Sequence, residues 1–327
     1  MLAIKKFNIL LVLMFITYCC IGILKFNFNK LDDIIIAFFV FIFVFNFKIS
    51  KKRLWFFIPI GFWCAIWFNS YGIEILYWLY LIFLWSIVIL APKSQKEISI
   101  TLFTYFIIFF VAAIAYMVGS RTMKDFGVDL NVLFLFLALL LGLGSKTAIG
   151  KIIQLFILSY FTRSRAVLSL LITVPNKQFL IYILAFSYLV LYLTILFSMA
   201  DDPATKARSQ LLVNHILNLL DLNYTQWLLG AGPRAYLDFS VYVEDAVWFV
   251  ASKPKTVDSA ILRVYLEFGL IVGTLLLYAL YRYIDNLALF IVVCVALGLS
   301  NEGLLSVFGP FAAYYTRQIA QQSRFQN

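Results

Sequence analysis

The sequence predicts an all-α, polytopic integral membrane protein with about twelve transmembrane helices and one large loop outside the bilayer. Composition, run length and charge placement each point there. Of 327 residues, 64% are hydrophobic and 18% aromatic, while only 13% are charged, about half the charged share of a soluble domain. The apolar excess runs nearly end to end, which excludes a soluble domain with a greasy tail. A mean hydropathy of +0.95 also excludes an outer-membrane barrel, whose strands alternate apolar and polar residues.

A spanning helix needs about 20 residues, fewer where it is bent or partly buried. Phe7–Leu24 follows Lys5 and Lys6 in the manner of a signal peptide, but no small-x-small cleavage site comes after it. It is therefore expected to remain as the first span. Leu31–Phe47, Leu54–Phe68, Ile73–Ala91, Ser99–Val118 and Asn131–Leu143 follow, then Ile149–Tyr160, Ala166–Val174 and Phe179–Met199. Ala166–Val174 is too short to cross alone and has the length of half a broken helix. After a polar stretch come Ser259–Tyr281, Leu287–Leu299 and Leu304–Tyr315. The last two form either one long span or two short ones separated by Ser300-Asn301-Glu302-Gly303. Three regions result: a membrane bundle of about nine helices over residues 1–200, an outer loop over 201–257, and C-terminal membrane helices over 258–327.

Loop charge sets the orientation. The net charge of +10, from 26 Lys and Arg against 16 Asp and Glu, would suggest nucleic acid in a soluble chain. Here many of the cations fall in short loops, as the positive-inside rule requires, and no nucleic-acid partner is expected. Lys5 and Lys6, then Lys48 with Lys51, Lys52 and Arg53, then Lys93 and Lys96, then Lys146 and Lys151, fall in every second loop and go inside, while the intervening turn Asn69–Gly72 carries no cation. The stretch from Ala200 to Val257 then falls outside. Arg317 and Arg324 favour an inside C-terminus, which supports two short final spans.

The outer loop opens with Asp201-Asp202-Pro203. Thr205 to Leu220 reads as an amphipathic helix, because Leu211, Leu212, His215, Ile216 and Leu219 keep a 3.6-residue period. Leu229-Gly230-Ala231-Gly232-Pro233-Arg234 is a tight glycine turn. Tyr236, Phe239, Tyr242, Trp248 and Phe249 after it suit a segment lying on the membrane face.

Chemistry concentrates in three outer clusters: Thr162-Arg163-Ser164-Arg165; Arg208 with Arg234; and Asp258 with Arg263 and Glu267. Arginines on the outer side oppose the charge bias that sets topology. Guanidinium groups bind phosphates in bidentate fashion and stay charged in low dielectric. Their ordinary alternative is contact with lipid headgroups or with Asp201, Asp202, Glu244 and Asp245. Arg163 and Arg165 flank the short, interrupted helix. Arg263 and Glu267, spaced i,i+4, face each other and act as structural glue or as a site wall. Asp258 is either the helix N-cap or a general base for a sugar hydroxyl. His215 packs on the apolar face of its helix or reaches the site. Glu302 sits at a turn that would face the same cavity. His215 is also the one histidine, and Cys19, Cys20, Cys64 and Cys294 lie inside apolar runs with no CxxC pair. A His/Cys metal cluster is thereby excluded, and neither a metal nor a cofactor is expected.

Three stretches resemble the O-antigen polymerase (Wzy-type) and O-antigen ligase superfamily. Thr162-Arg163-Ser164-Arg165-Ala166 is similar to the family's T-x-S-R-small segment. Arg208, followed by Leu229-Gly230-Ala231-Gly232-Pro233, is similar to its R…LLGxGP pattern. Val257-Asp258-Ser259-Ala260-Ile261-Leu262, running on to Glu267-Phe268-Gly269-Leu270-Ile271-Val272-Gly273, is similar to its [DH]-[NS]-x-x-L…E-x-G-x-x-G stretch. The resemblance covers about Ser145 to the C-terminus. The family's ligases usually carry histidine where this chain has Asp258, which favours a polymerase, and His215 does not match that position.

The resemblance implies a GT-C-like glycosyltransferase, multi-pass in the bacterial inner membrane, with its site facing the periplasm. Its donor and acceptor would be oligosaccharides on undecaprenyl diphosphate, its surroundings membrane lipids, and a chain-length regulator a further partner. With the residues already singled out, Asp258, His215 and Glu302 are the catalytic candidates. Arg163, Arg165, Arg208, Arg234 and Arg263 are the implied diphosphate and glycan contacts. Two alternatives stay open: a ligase-type transferase, and a flippase for lipid-linked sugars, whose usual internal repeat is not visible. Reporter fusions ending within residues 201–257 are expected to report a non-cytosolic location; cytosolic signals there would overturn the orientation.

Overall fold

The computed structural model describes residues 57–71, 147–162, 165–175, 177–198, 203–233, 235, 259–299, 305 and 308–324, with isolated residues between 12 and 143. Among them the chain is helical and holds no strand. The expected runs before residue 54, and those at 73–91, 99–118 and 131–143, lie wholly or largely outside the described residues.

Helix α1 is Phe57–Tyr71 and α2 is Ala148–Thr162. On α2 the buried residues Lys151, Leu155 and Leu158 form one stripe, while Ile149, Ile152, Ile153, Phe156, Ile157 and Tyr160 are exposed. The run expected to be half a broken helix is a nine-residue 3₁₀ helix, Arg165–Thr173, which packs along α2. It stops before Pro175, because the residue ahead of a proline is pushed out of the helical region. Its terminal carbonyl, at Thr173, accepts from Lys151 Nζ at 2.8 Å, and Thr173 Oγ1 donates to Leu170 O at 2.7 Å. Lys151 was expected to be a loop cation. It is instead a buried side chain closing a helix end, so it drops out of the loop-charge count.

Helix α3, Gln178–Phe197, packs on the 3₁₀ helix, buries Ile181 and Ala185 and leaves Phe179, Leu180, Phe186 and Leu191 exposed. Helix α4 is Pro203–Leu220, two residues longer at its start than the sequence pattern, with proline in the first turn where its missing N–H is harmless. Ser209, Leu211, Leu212 and His215 are its buried face, and Leu217 and Leu220 point away. The short helix α5, Tyr224–Leu229, opens on a reciprocal capping box between Asn223 and Gln226.

Helix α6, Ala260–Ile284, is the one helix of the described residues long and apolar enough to cross a membrane by length and composition, with mean hydropathy 1.9. It is not one rod. Gly269 has φ 70 and ψ −179, outside the helical region. A turn at Asp285 and Asn286 leads into α7, Leu287–Cys294, which continues as a π-helix over Val295–Leu299. As a straight helix the 25 residues of α6 would rise about 37 Å, whereas α7 and the π segment rise about 20 Å. Yet Ser259, just ahead of α6, donates from Oγ to Gly298 O at 3.1 Å. The arm 260–268 must therefore fold away from the line of 270–284. Helix α8, Phe308–Arg324, packs against α6 and α7. The described C-terminal part thus holds two separate helices, the second of them four residues later at its start than the run Leu304–Tyr315. Arg317, expected as a cytosolic loop charge, is a buried residue of α8.

The break at Gly269 is held by the glycine turn after α5. Gly230 (φ 87) and Gly269 (φ 70) both adopt backbone conformations that L side chains avoid. A Cβ on Gly230 would fall on Glu267 O, and one on Gly269 would fall on Gly230 N. Gly230→Ala or Gly269→Ala is expected to cost at least the ~1–3 kcal/mol of an overpacked core, plus the strain of a positive φ. Thermal unfolding of the purified variants in detergent, or failure to accumulate them, checks this; wild-type midpoints would count against the crossing.

Candidate functional site

Breaking α6 leaves carbonyls without their usual i+4 donors. The glycine turn supplies replacements. Ala231 N donates to Leu266 O at 2.9 Å and Gly232 N to Glu267 O at 3.3 Å. Trp63 on α1 also donates its Nε1–H to Glu267 O at 2.9 Å and packs its ring on Phe268, centroids 4.4 Å apart and tilted by 41°. Trp63 is fully buried. The Leu229–Pro233 turn and the Glu267-Phe268-Gly269 stretch, far apart in sequence, are therefore in direct contact.

The short arm 260–268 carries the polar groups. Ser259 is its N-cap, accepting from Leu262 N at 3.3 Å while donating to Gly298. The cap role considered for Asp258 thus belongs to its neighbour. Arg263 Nε donates to Glu267 Oε1 at 2.7 Å, with the two side chains 4% and 0% exposed. The i,i+4 spacing gives a bonded pair, and the carboxylate neutralises the guanidinium. Arg263 is thereby a wall of the site more than a free anion clamp. Leu266, on the same arm, packs against Leu219, Leu222 and Leu262. His215 lies one turn before Leu219 on α4 and is fully buried, so its helix face is the one turned to the interior.

The 3₁₀ helix, the π segment and the broken α6 meet here. The 3₁₀ helix and the arm of α6 both pack against the π segment. Irregular backbone inside a helical bundle is tolerated where it is buried in protein or lines a cavity, and π segments recur at functional sites. Each segment adjoins a stretch singled out from the sequence. The 3₁₀ helix begins at Arg165, the arm follows Asp258, and the π segment ends just before Ser300-Asn301-Glu302-Gly303. Asp258, Glu302, Arg163 and Arg234 themselves lie outside the described residues, and of Arg165 and Arg208 the backbone alone is described. Of the named candidates, His215 and Arg263 are the ones whose side chains are placed. Among the described residues no group of three or more His, Cys, Asp or Glu is set to hold a metal.

Sequence reasoning missed Trp63, Ser259 and Lys151 as organisers. A tryptophan in a uniformly apolar run carries no periodic signal. Ser259 was visible in Asp-Ser-Ala, but attention went to the aspartate beside it.

The chain matches none of the family models, curated proteins or solved structures compared with it.

Glu267→Gln is expected to destabilise the fold by about 3–5 kcal/mol, since it leaves a buried guanidinium without its counter-charge. Trp63→Phe is expected to cost about 1 kcal/mol through the lost donor to Glu267 O. Unfolding midpoints in detergent rank the two; a Glu267→Gln protein as stable as wild type would mean the pair bears no structural weight.

Proposed function

We propose that this chain is a polytopic membrane glycosyltransferase that polymerises polyprenyl-diphosphate-linked oligosaccharide units at the periplasmic face of a bacterial inner membrane, without a metal. The observation that carries the reading is the meeting of the 3₁₀ helix, the broken arm of α6 and the π segment, each adjoining one of the polar stretches picked out from the sequence.

The membrane setting is supported by apolar faces turned outward on α2 and α3 while Lys151 and Thr173 are buried, the reverse of a soluble bundle. It is supported further by α6, and about twelve spans remain the full-chain proposal. Chain direction supports the side. Lys151 near the start of α2 meets Thr173 at the end of the 3₁₀ helix, so these two run antiparallel. A short connection returns α3 antiparallel again. The Arg165 end of the 3₁₀ helix and the far end of α3, where the outer stretch begins, therefore share one end of the bundle. That parity holds whether or not the two short arms cross the whole bilayer.

In the proposed step, the acceptor sugar hydroxyl oxygen attacks the anomeric carbon of the donor. Its proton passes to the Asp258 carboxylate. The bond from the anomeric carbon to the diphosphate oxygen breaks, and the lipid diphosphate leaves. Arg163, Arg165, Arg208 and Arg234 meet the charge that develops on it, the work a metal does elsewhere. His215 and Glu302 are proposed to face the same space, and Arg263 to hold its wall through Glu267.

Purified protein in detergent, fed lipid-diphosphate repeat units, is expected to lengthen the glycan. Lengthening without a membrane barrier excludes a flippase, and its absence with intact protein sinks the transferase reading. Asp258→Asn is expected to lose about 10²–10⁴-fold in rate, the usual weight of a general base. Arg165→Ala is expected to lose about ten-fold or more while accumulating normally. Wild-type rates in both variants would remove these assignments.

A further inference from the structure

The end of α6 opposite the arm holds a charge that the proposed reaction does not use. Arg317 on α8 is 6% exposed, and its guanidinium carbon sits 4.5 Å from the centroid of the Tyr283 ring. Among the described residues no carboxylate pairs with it; the ion pair found there joins Arg263 to Glu267. Beside it, Thr316 is fully buried, and its Oγ1 has no hydrogen-bond partner among the described residues. Gln318, on the other side, is 3% exposed.

A guanidinium does not shed its proton to escape burial. A buried guanidinium in a helical bundle is expensive to keep charged, and the face of one tyrosine recovers only part of that. An anion from outside the chain would complete the balance. The fork of N–H donors fits phosphate in bidentate fashion. Arg282, exposed in the last turn of α6 next to Tyr283, adds a second positive charge at this end, and Asp285, exposed at the helix C-cap, a negative one. Basic niches between helices at the cytosolic face of membrane proteins are where phospholipid headgroups bind.

We infer that Arg317, held on the Tyr283 ring, binds a phosphate oxyanion at the junction of α8 with the C-terminal end of α6. The proposed membrane setting bears only on the source, an anionic phospholipid headgroup or free phosphate. The guanidinium lies over the Tyr283 ring and presents its remaining edge to the oxyanion.

The test uses full-length protein in maltoside detergent, without any glycan. Phosphatidylglycerol in mixed micelles and, separately, inorganic phosphate at constant ionic strength are titrated while the unfolding midpoint is followed, with phosphatidylcholine as the neutral control. A saturable rise is expected with one of the two anions. A response to phosphatidylglycerol alone assigns a lipid; a response to inorganic phosphate assigns the free anion. Arg317→Gln is expected to raise the half-saturating concentration about ten-fold or more, and Arg282→Gln to change it by no more than about two-fold. No rise with either anion, or an Arg317→Gln protein that responds as wild type does, overturns the site. If Arg317→Gln does not accumulate, native mass spectrometry of the wild type decides. A single phosphatidylglycerol or phosphate adduct retained where phosphatidylcholine is stripped supports the site, and loss of both adducts overturns it. Failure here leaves the transferase reading standing, and failure of chain lengthening leaves this site standing.

Discussion

Two main chains cross at Gly230 and Gly269 with no room for a side chain on either. Much of the arrangement follows from that approach. Because α6 is interrupted there, Leu266 and Glu267 have carbonyls to offer, and the turn after α5 has N–H groups to give them. The crossing therefore replaces two helix hydrogen bonds with two tertiary ones, and so stitches residues 230–232 to residues 266–269. It also redirects the arm 260–268, which lets Ser259 reach the π segment. A straight α6 would carry Ser259 well beyond Gly298.

The bundle is organised from polar groups inward. Lys151, Ser259, Trp63 and Thr173 each direct a donor to a backbone carbonyl of an interrupted or ending helix. In the proposed membrane setting no water is present to satisfy such carbonyls, so every irregularity needs a partner from within the protein. The outward faces of α2 and α3 need no such provision, since their backbone is satisfied along the helix and their side chains are apolar. Irregular segments are thereby confined to the interior, beside the polar stretches.

Much of this was legible in the sequence, for physical reasons that also set the limit. The run lengths located α2, α3, α6 and α7 to within a few residues, because apolar stretches are bounded by charges, glycines and prolines. The 3.6 period separated the buried Leu211, Leu212 and His215 from the exposed Leu217 and Leu220. The i,i+4 spacing of Arg263 and Glu267 anticipated their bond. The fold of α6 at Gly269 was not legible, since a glycine in an apolar helix is common and its φ is set by a partner 39 residues earlier, Gly230. The burial of Lys151 and Arg317 was equally hidden. Charge counting treats every cation as solvated, and only packing shows which ones are enclosed. Asp258, Glu302 and Arg163 remain known by sequence position alone.

The nine-residue 3₁₀ helix has a mechanical corollary. At about 2.0 Å per residue it stretches about 18 Å, whereas the same residues wound as an α-helix would stretch about 13.5 Å. Lys151 clamps the Thr173 end, so any interconversion would be felt at the opposite terminus. A change of winding would draw Arg165 along the axis by about 4.5 Å and swing it through roughly half a revolution. The segment is thus a short screw with one fixed end, and the residue at its moving tip is an arginine.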